Sequence, residues 1–212
     1  CCAKAALQPL LKRSPWVAAP VVNHLDFTPA DLEGQAVVFL CNVPRLVPSQ
    51  QSALKDFIAY GGGLVIAPAD QIDQGAYNQM HDGADGLLPL QFLDTDIEEN
   101  HTLRPINVDS DSLQAPWLSG FRSESGIDFV RTRFAKWWRI DTQGAPSSAL
   151  EAEAAIEGAG GDDPLSGRLS YGPPVIQARL ETRDPLIVAR QYGAGMIVQL
   201  AVPLDADWST LP

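Results

Sequence analysis

The stretch from Gln35 to Pro68 constrains the fold more than any other part of the chain: "QAVVFLC", then "NVPRLVPSQQSALKDFIAYGGG", then "LVIAP". "AVVFLC" is a continuous apolar run of strand length, the pattern of a strand covered on both faces, as in a parallel sheet. Within "PSQQSALKDFIAYGGG" the apolar residues Ala53, Leu54, Phe57 and Ile58 fall on one helical stripe. Pro48 stands where a helix starts. Gly61, Gly62 and Gly63 stand where it stops, because glycine accepts the left-handed backbone that ends a helix. "LVIAP" then supplies a second buried strand. Strand, helix and strand in so short a span predict a βαβ unit with a right-handed crossover.

The carboxyl end is equally plain. "VIQARLE" predicts a strand, and "PLIVARQYGAGMIVQLAVP" a hairpin that turns at Gly193-Ala194-Gly195. Between these anchors the pattern weakens. "VVNHLDFTPADL", residues 21–32, predicts a short edge strand and a turn, and "AKAALQPLL", residues 3–11, a helical piece limited by Pro9. "GAYNQMHDGADGLLPLQF" is expected to contain a short helix, and residues 94–121 read as a long, proline-interrupted excursion. In "GIDFVRTRFAKWWRI" aromatic and β-branched residues alternate with Arg and Lys, which predicts a half-exposed antiparallel or edge strand. Residues 143–174 are rich in Gly, Ala, Ser and Pro and read as a loop insert with one helical piece, "SALEAEAAI".

Charge and cysteine content exclude some functions. The chain of 212 residues carries 26 acidic and 15 basic side chains, a formal net charge of -11. Such a field repels phosphate backbones, which argues against nucleic acid as a partner. No apolar run approaches the roughly 20 residues that cross a bilayer. Cys1, Cys2 and Cys41 make no disulfide framework.

Taken together, "VVFLCNVPRLVPSQQSALKDFIAYGGGLVIAPADQID", "YNQ…LLPL" and "DPLIVARQYGAGMIVQLAVPLDADWSTLP" resemble the class I glutamine amidotransferase-like domain. The likeness is to the version found in bacterial membrane-anchored proteins with von Willebrand factor A modules, such as the BatA-like proteins. It covers the amino-terminal third and roughly the final 30 residues. It implies one α/β domain over residues 1–212, cut from a larger protein. The sheet would be three-layer and flavodoxin-like, mostly parallel, with an antiparallel C-terminal hairpin. It also implies a cell-envelope setting, with tethering to the inner membrane only through segments outside this chain. In active members of the family a Cys–His–Glu triad does the chemistry, with the Cys on a tight strand-to-helix elbow. Here "LVIAP" is followed by Ala69 and Asp70, no Gly-x-Cys-x-Gly occurs, and no His-x-Glu pair stands near the carboxyl end. Cys41 ends the preceding strand, where its expected role is that of a small buried hydrophobe.

Without a triad, candidate residues come from a general rule: α/β sheets bind ligands where loops leave the carboxyl ends of parallel strands. That rule selects Asn42, Arg45, Asp70, Gln71 and Asp73 as ligand-binding candidates, with local turn chemistry as the alternative for the Asn and Asp residues. The acidic groups Asp94, Asp96, Glu98 and Glu99, and Asp109 with Asp111, lack the Gly turn and distant Glu of a calcium loop, and read as solvated loops. Asp205 to Trp208 reads as a turn with a buried Trp. His24 with Asp26, and His81 with Asp82, are the acid–base pairs to check. Trp137 and Trp138 place one ring on each side of a strand, one in the core and the other either packed or open as a platform. The expectation is a non-catalytic module without metal or cofactor, for a protein partner or small ligand. The alternative is a hydrolase that uses Asp70 or His24.

Overall fold

The computed structural model describes residues 20–83, 85–100, 106–113, 115–122, 127–143 and 171–210. Its strands are β1 (Val37–Cys41), β2 (Gly63–Ala67), β3 (Phe92–Ile97), β4 (Lys136–Ile140), β5 (Val175–Arg179), β6 (Pro185–Tyr192) and β7 (Gly195–Leu200). The helices are α1 (Pro48–Ala59), α2 (Gln74–Gln79) and the single turn α3 (Ile127–Val130). Five strands form one sheet in the order β1-β2-β7-β6-β5, and β3 pairs with β4 in a second, two-stranded sheet. β1/β2 and β2/β7 are parallel, whereas β7/β6 and β6/β5 are antiparallel. Four strands therefore point the same way and β6 alone opposes them. The result is a mixed α/β fold, with a mostly parallel main sheet that ends in an antiparallel hairpin, as the sequence pattern predicts.

The βαβ unit forms for the reasons visible in its residues. β1 and β2 pair in unbroken register from Val37↔Gly63 to Cys41↔Ala67. α1 opens with Pro48, and the Gln50 side chain reaches back to accept the Val47 N–H at 3.1 Å. Its Leu54 and Ile58 are wholly buried, and the helix packs on β2 and β7.

At the other end of α1 the last carbonyls need donors, and the β6–β7 hairpin supplies them. The Ala194 N–H donates to the Ala59 carbonyl at 3.0 Å, and the Met196 N–H to that of Gly62 at 3.4 Å. Gly193 takes φ +59° in the tight turn, and a Cβ there would lie 2.8 Å from the Ala59 Cα. A Cβ at Gly195 would overlap the carbonyl oxygens of Ile58 and Gly62. Both glycines thus serve a close approach of hairpin to helix.

One face of the main sheet is fully used. Leu64, Ile66, Ile197 and Gln199 share it by register, and all four are buried. The Gln199 amide accepts from the Leu90 N–H at 3.0 Å and donates to the Leu90 carbonyl at 2.9 Å. A side chain thereby takes the place of a missing neighbour strand and satisfies two backbone groups. Arg190 is buried nearby and donates to the carbonyls of Gly172 (3.1 Å) and Gly86 (3.2 Å). Burial pushes the Tyr192 phenol well above its ordinary range, so it stays protonated and donates to the Asp85 carbonyl at 3.0 Å. The opposite face is only partly covered: Val37, Phe39 and Met196 are 45%, 38% and 47% exposed.

Four segments differ from the sequence expectation. Residues 21–32 contain no strand. Pro29 starts a 3-10 turn over Pro29–Leu32, held by Asp31 accepting from both the N–H and the hydroxyl of Thr28. β3, Phe92–Ile97, runs into the start of the segment that reads as a proline-interrupted excursion. Of the described residues 127–140 only Lys136–Ile140 form a named strand, and Ile127–Val130 close one helical turn instead. Residues 3–11, and the "SALEAEAAI" part of the 143–174 insert, lie outside the described residues. The insert's last residues are not loop throughout, because Tyr171 bridges to Tyr192 and the Gly172 N–H donates to the Gln191 carbonyl at 3.1 Å.

The helix–hairpin contact makes a direct prediction. Gly195→Ala forces a methyl group into backbone that has no rotamer to yield, so we expect a loss of about 3 kcal/mol, the upper end of ordinary overpacking. Urea unfolding of the variant beside the parent chain measures it.

Candidate functional site

The structure brings Asn42, Asp70, Gln71 and Asp73 together at the carboxyl ends of β1 and β2, where the sequence placed them. Most of their polar groups are consumed in closing the loops. Asn42 adopts the left-handed backbone (φ 51°), and its side-chain oxygen accepts from the Gln71 N–H at 3.0 Å. Asp73 caps α2 by accepting the Ala76 N–H at 3.0 Å, while its own N–H donates to the Pro44 carbonyl at 2.8 Å. Asp70 pairs with Lys136 at 2.7 Å. Arg45 and Gln71 are exposed, and their side chains make no hydrogen bond or ion pair among the described residues.

The crevice between these exits is filled by β4. The Trp138 N–H donates to the Ala201 carbonyl just past β7 at 2.8 Å, and its indole N–H to the Ala69 carbonyl just past β2 at 3.3 Å. Two residues earlier on the same strand face, Lys136 reaches Asp70 and stands 4.3 Å from the centre of the Trp208 ring. Trp208 is itself buried, as its turn predicts. Behind Trp138 the rings of Phe92 and Tyr77 continue the packing at centroid distances of 5.7 Å and 6.1 Å. Tyr77 is buried and donates its hydroxyl to the Val43 carbonyl at 2.9 Å. Trp137 points the other way, wholly buried, with its indole N–H on Asp184 at 3.0 Å. Neither ring is an open platform.

Residues 68–73, the bend that leaves β2, carry no thiol or hydroxyl side chain. Ala67, Pro68 and Ala69 are buried, Asp70 is held by Lys136, and Cys41 is half-buried at the end of β1. The sequence-selected acid–base residues do not converge. The His24 backbone carbonyl accepts from Gln50 at 2.8 Å, whereas His81 Nδ1 lies 3.0 Å from the Leu88 carbonyl. No hydrogen bond or ion pair joins His24, His81 and Asp70 to one another among the described residues. In the acidic clusters, Asp94 meets Arg139 at 3.5 Å, and Asp109 accepts the Asp111 N–H at 3.1 Å. Among the described residues no three His, Cys, Asp or Glu side chains are placed to hold a metal ion.

A second location was missed by the sequence rule. An open cleft of ≈ 550 Å³ lies at the carboxyl end of β5, lined by Asn107, Asp109, Ser110, Arg131, Arg133 and Glu181 among others. Asn107 ties its walls together. Its backbone N–H and C=O pair with Glu181 at 3.1 Å and 3.0 Å, and its amide donates to the carbonyls of Arg131 and Thr132, both at 3.0 Å. Arg133 Nε lies 2.9 Å from each oxygen of buried Glu98, and its Nη2 also bonds that carboxylate. Glu98 accepts a further bond from the Ile106 N–H at 3.1 Å. These groups hold the Glu98 carboxyl below the usual range, with the Arg133 hydrogen bonds as the largest cause. Arg131 is exposed and its guanidinium has no partner among the described residues. The only sequence clue was an Arg-x-Arg pair on an alternating strand pattern, which says nothing of the segment opposite.

Among known proteins, no family model and no curated protein matches this chain. Solved structures do. The cytoplasmic protein STM1381 from Salmonella typhimurium LT2 superposes with a TM-score of 0.60 at 12% identity, covering 95% of this chain and 76% of that one. The cytoplasmic protein STM3548 from Salmonella typhimurium gives a TM-score of 0.54 at 15% identity, over 92% and 68%. At these identities the likeness establishes the fold, a mixed α/β domain. Among the described residues no helix is long and apolar enough to cross a membrane.

The Glu98–Arg133 pair predicts a pH signature. Because the folded state depresses the Glu98 pKa, its contribution is complete at neutral pH. It disappears as pH falls through the ordinary carboxylate value of about 4.3 and below. Glu98→Gln is therefore expected to melt below the parent at pH 7, with the gap narrowing as pH approaches 3, read by thermal unfolding across that range.

Proposed function

We propose that this chain is a non-catalytic, amidotransferase-like module that holds a small ligand or a protein partner on behalf of a larger cell-envelope protein. The observation that carries this reading is the β2 exit. In the triad enzymes that the sequence resembles, the nucleophile stands at such an elbow. Here the position offers Pro68, Ala69 and a paired Asp70, under an indole from the chain's own β4. The triad chemistry needs an approachable thiol or hydroxyl with a base in reach, and residues 68–73 of this bend carry neither kind of side chain.

The reading includes a three-layer, flavodoxin-like arrangement, supported by the parallel β1-α1-β2 unit with β7 beside it. It also includes tethering to the inner membrane through segments outside this chain, which rests on the resemblance. Contact with a ligand or partner falls to groups left over from loop closure. These are Arg45 and Gln71 beside β1 and β2, with Asn42, Asp70 and Asp73 fixing the loops that carry them, and Arg131 in the cleft beside β5.

The competing hydrolase reading requires Asp70 or His24 to act on a bound substrate. Incubation with a panel of amide and ester substrates, glutamine included, distinguishes the two. We expect no turnover above buffer, and the same null result for Asp70→Asn and His24→Ala. Turnover by the parent chain that either substitution abolishes would overturn the module reading.

A further inference from the structure

We infer that the cleft past β5 binds a straight-chain amino acid as its zwitterion, with the carboxylate on Arg131 and the ammonium against Asp109 and Glu181. This assignment rests on the holding-module reading and gives the module's small ligand a chemical class. Charges of both signs line one cleft of ≈ 550 Å³ here, a volume within the range of small-molecule sites, yet Arg131 pairs with neither carboxylate.

The walls are fixed by bonds that leave the charged ends over. Val108 bridges Leu180, and the Asp109 N–H donates to the Arg179 carbonyl at 2.9 Å, so this segment lies alongside the end of β5. Asn107 bonds to both sides of the cleft. Its backbone N–H donates to a Glu181 oxygen at 3.1 Å and its side-chain amide to the Arg131 carbonyl at 3.0 Å. Arg133 also lines the cleft, but its guanidinium is turned onto Glu98. Asp109 commits Oδ1 to the Asp111 N–H, and Glu181 commits Oε2 to Asn107. The second oxygen of each carboxylate, and the whole guanidinium of Arg131, make no hydrogen bond or ion pair among the described residues.

That inventory selects the occupant. A guanidinium presents its N–H groups as a planar fork that matches a carboxylate. An ammonium carries three donors and suits two carboxylate oxygens. A phosphate or dicarboxylate would meet Arg131 but face Asp109 and Glu181 with like charge, which costs free energy. A simple amine would cover Arg131 without pairing it. Two carboxylates alone fall short of the six to eight oxygens that calcium takes. A molecule with one charge of each sign leaves no group desolvated and unpaired. Val130, half-buried on the same wall, offers apolar surface to the methylene stem between the two ends.

Calorimetric titration of the whole chain at low salt with glycine, β-alanine, γ-aminobutyrate and ε-aminocaproate tests this, the series spanning the separation of the two charges. Butyrate and butylamine serve as probes with one charge each. One member of the series is expected to bind saturably, at least roughly tenfold more tightly than either single-charge probe, since charge-assisted hydrogen bonds are lost at one end. Arg131→Gln is expected to weaken that binding by about tenfold or more. Arg131 is exposed and its side chain bonds to nothing described, so the variant should fold as the parent does, which circular dichroism checks. Asp109→Asn with Glu181→Gln removes both negative charges yet keeps an acceptor for the N–H groups of Asp111 and Asn107, and the same loss is expected. Absence of binding by every member at millimolar concentration, equal binding of a single-charge probe, or unchanged affinity in either folded variant would overturn the assignment. Recovery of the bound zwitterion unchanged reads the module account separately: conversion would overturn that account and leave the binding site standing.

Discussion

The indole of Trp138 settles how the two sheets of this protein meet. Its backbone N–H is bonded beyond the end of β7 and its ring N–H beyond the end of β2, so one residue of the small sheet spans two parallel strands of the large one. A buried carbonyl without a donor costs free energy comparable to a lost hydrogen bond. The Ala69 carbonyl at a buried bend therefore depends on that ring. Lys136 repeats the attachment one step along β4, with its charge on Asp70 and its ammonium near the face of Trp208. The exposed ion pair alone is worth little. Its value lies in fixing the register of a strand whose neighbouring residue is already anchored.

From that attachment follows the character of the sheet's carboxyl edge. In open α/β sheets this edge is where ligands and catalytic groups gather. Here the central part of it is occupied by the protein's own aromatic row, Tyr77, Phe92 and Trp138. What remains accessible lies to the sides. One part is the exposed Arg45 and Gln71 beside β1 and β2, and the other is the cleft past β5 with Arg131 on its wall. Both suit recognition by charge and hydrogen bonding.

How much of this was legible in the sequence depended on distance along the chain. The βαβ unit and the hairpin are local: stripe, glycine triplet and turn all sit within the segment they explain. Asn42, Asp70 and Asp73 were correctly placed at the strand exits because that rule needs only strand order. β3 was not legible, because Asp94 and Asp96 break its apolar pattern and its partner β4 lies some forty residues later. The burial of both Trp137 and Trp138 was half legible. Alternation put the rings on opposite faces, but only tertiary contacts, with Asp184 and with Ala69, decide that neither is open. The Glu98–Arg133 pair joins residues 35 apart, and in the sequence Glu98 is one of several acids in a row. Periodicity describes faces, not the partners that meet them.

Trp138 offers the most direct test, since the whole account rests on its ring closing the crevice. Hydrogen exchange of the indole N–H groups, followed by NMR at neutral pH, compares Trp138 with Trp117, which is 52% exposed in the same chain. The account predicts that the Trp138 indole proton exchanges orders of magnitude more slowly than that of Trp117, at a rate limited by opening of the β4 attachment. Similar rates for the two would mean that water, and hence a substrate, reaches the end of β2 freely.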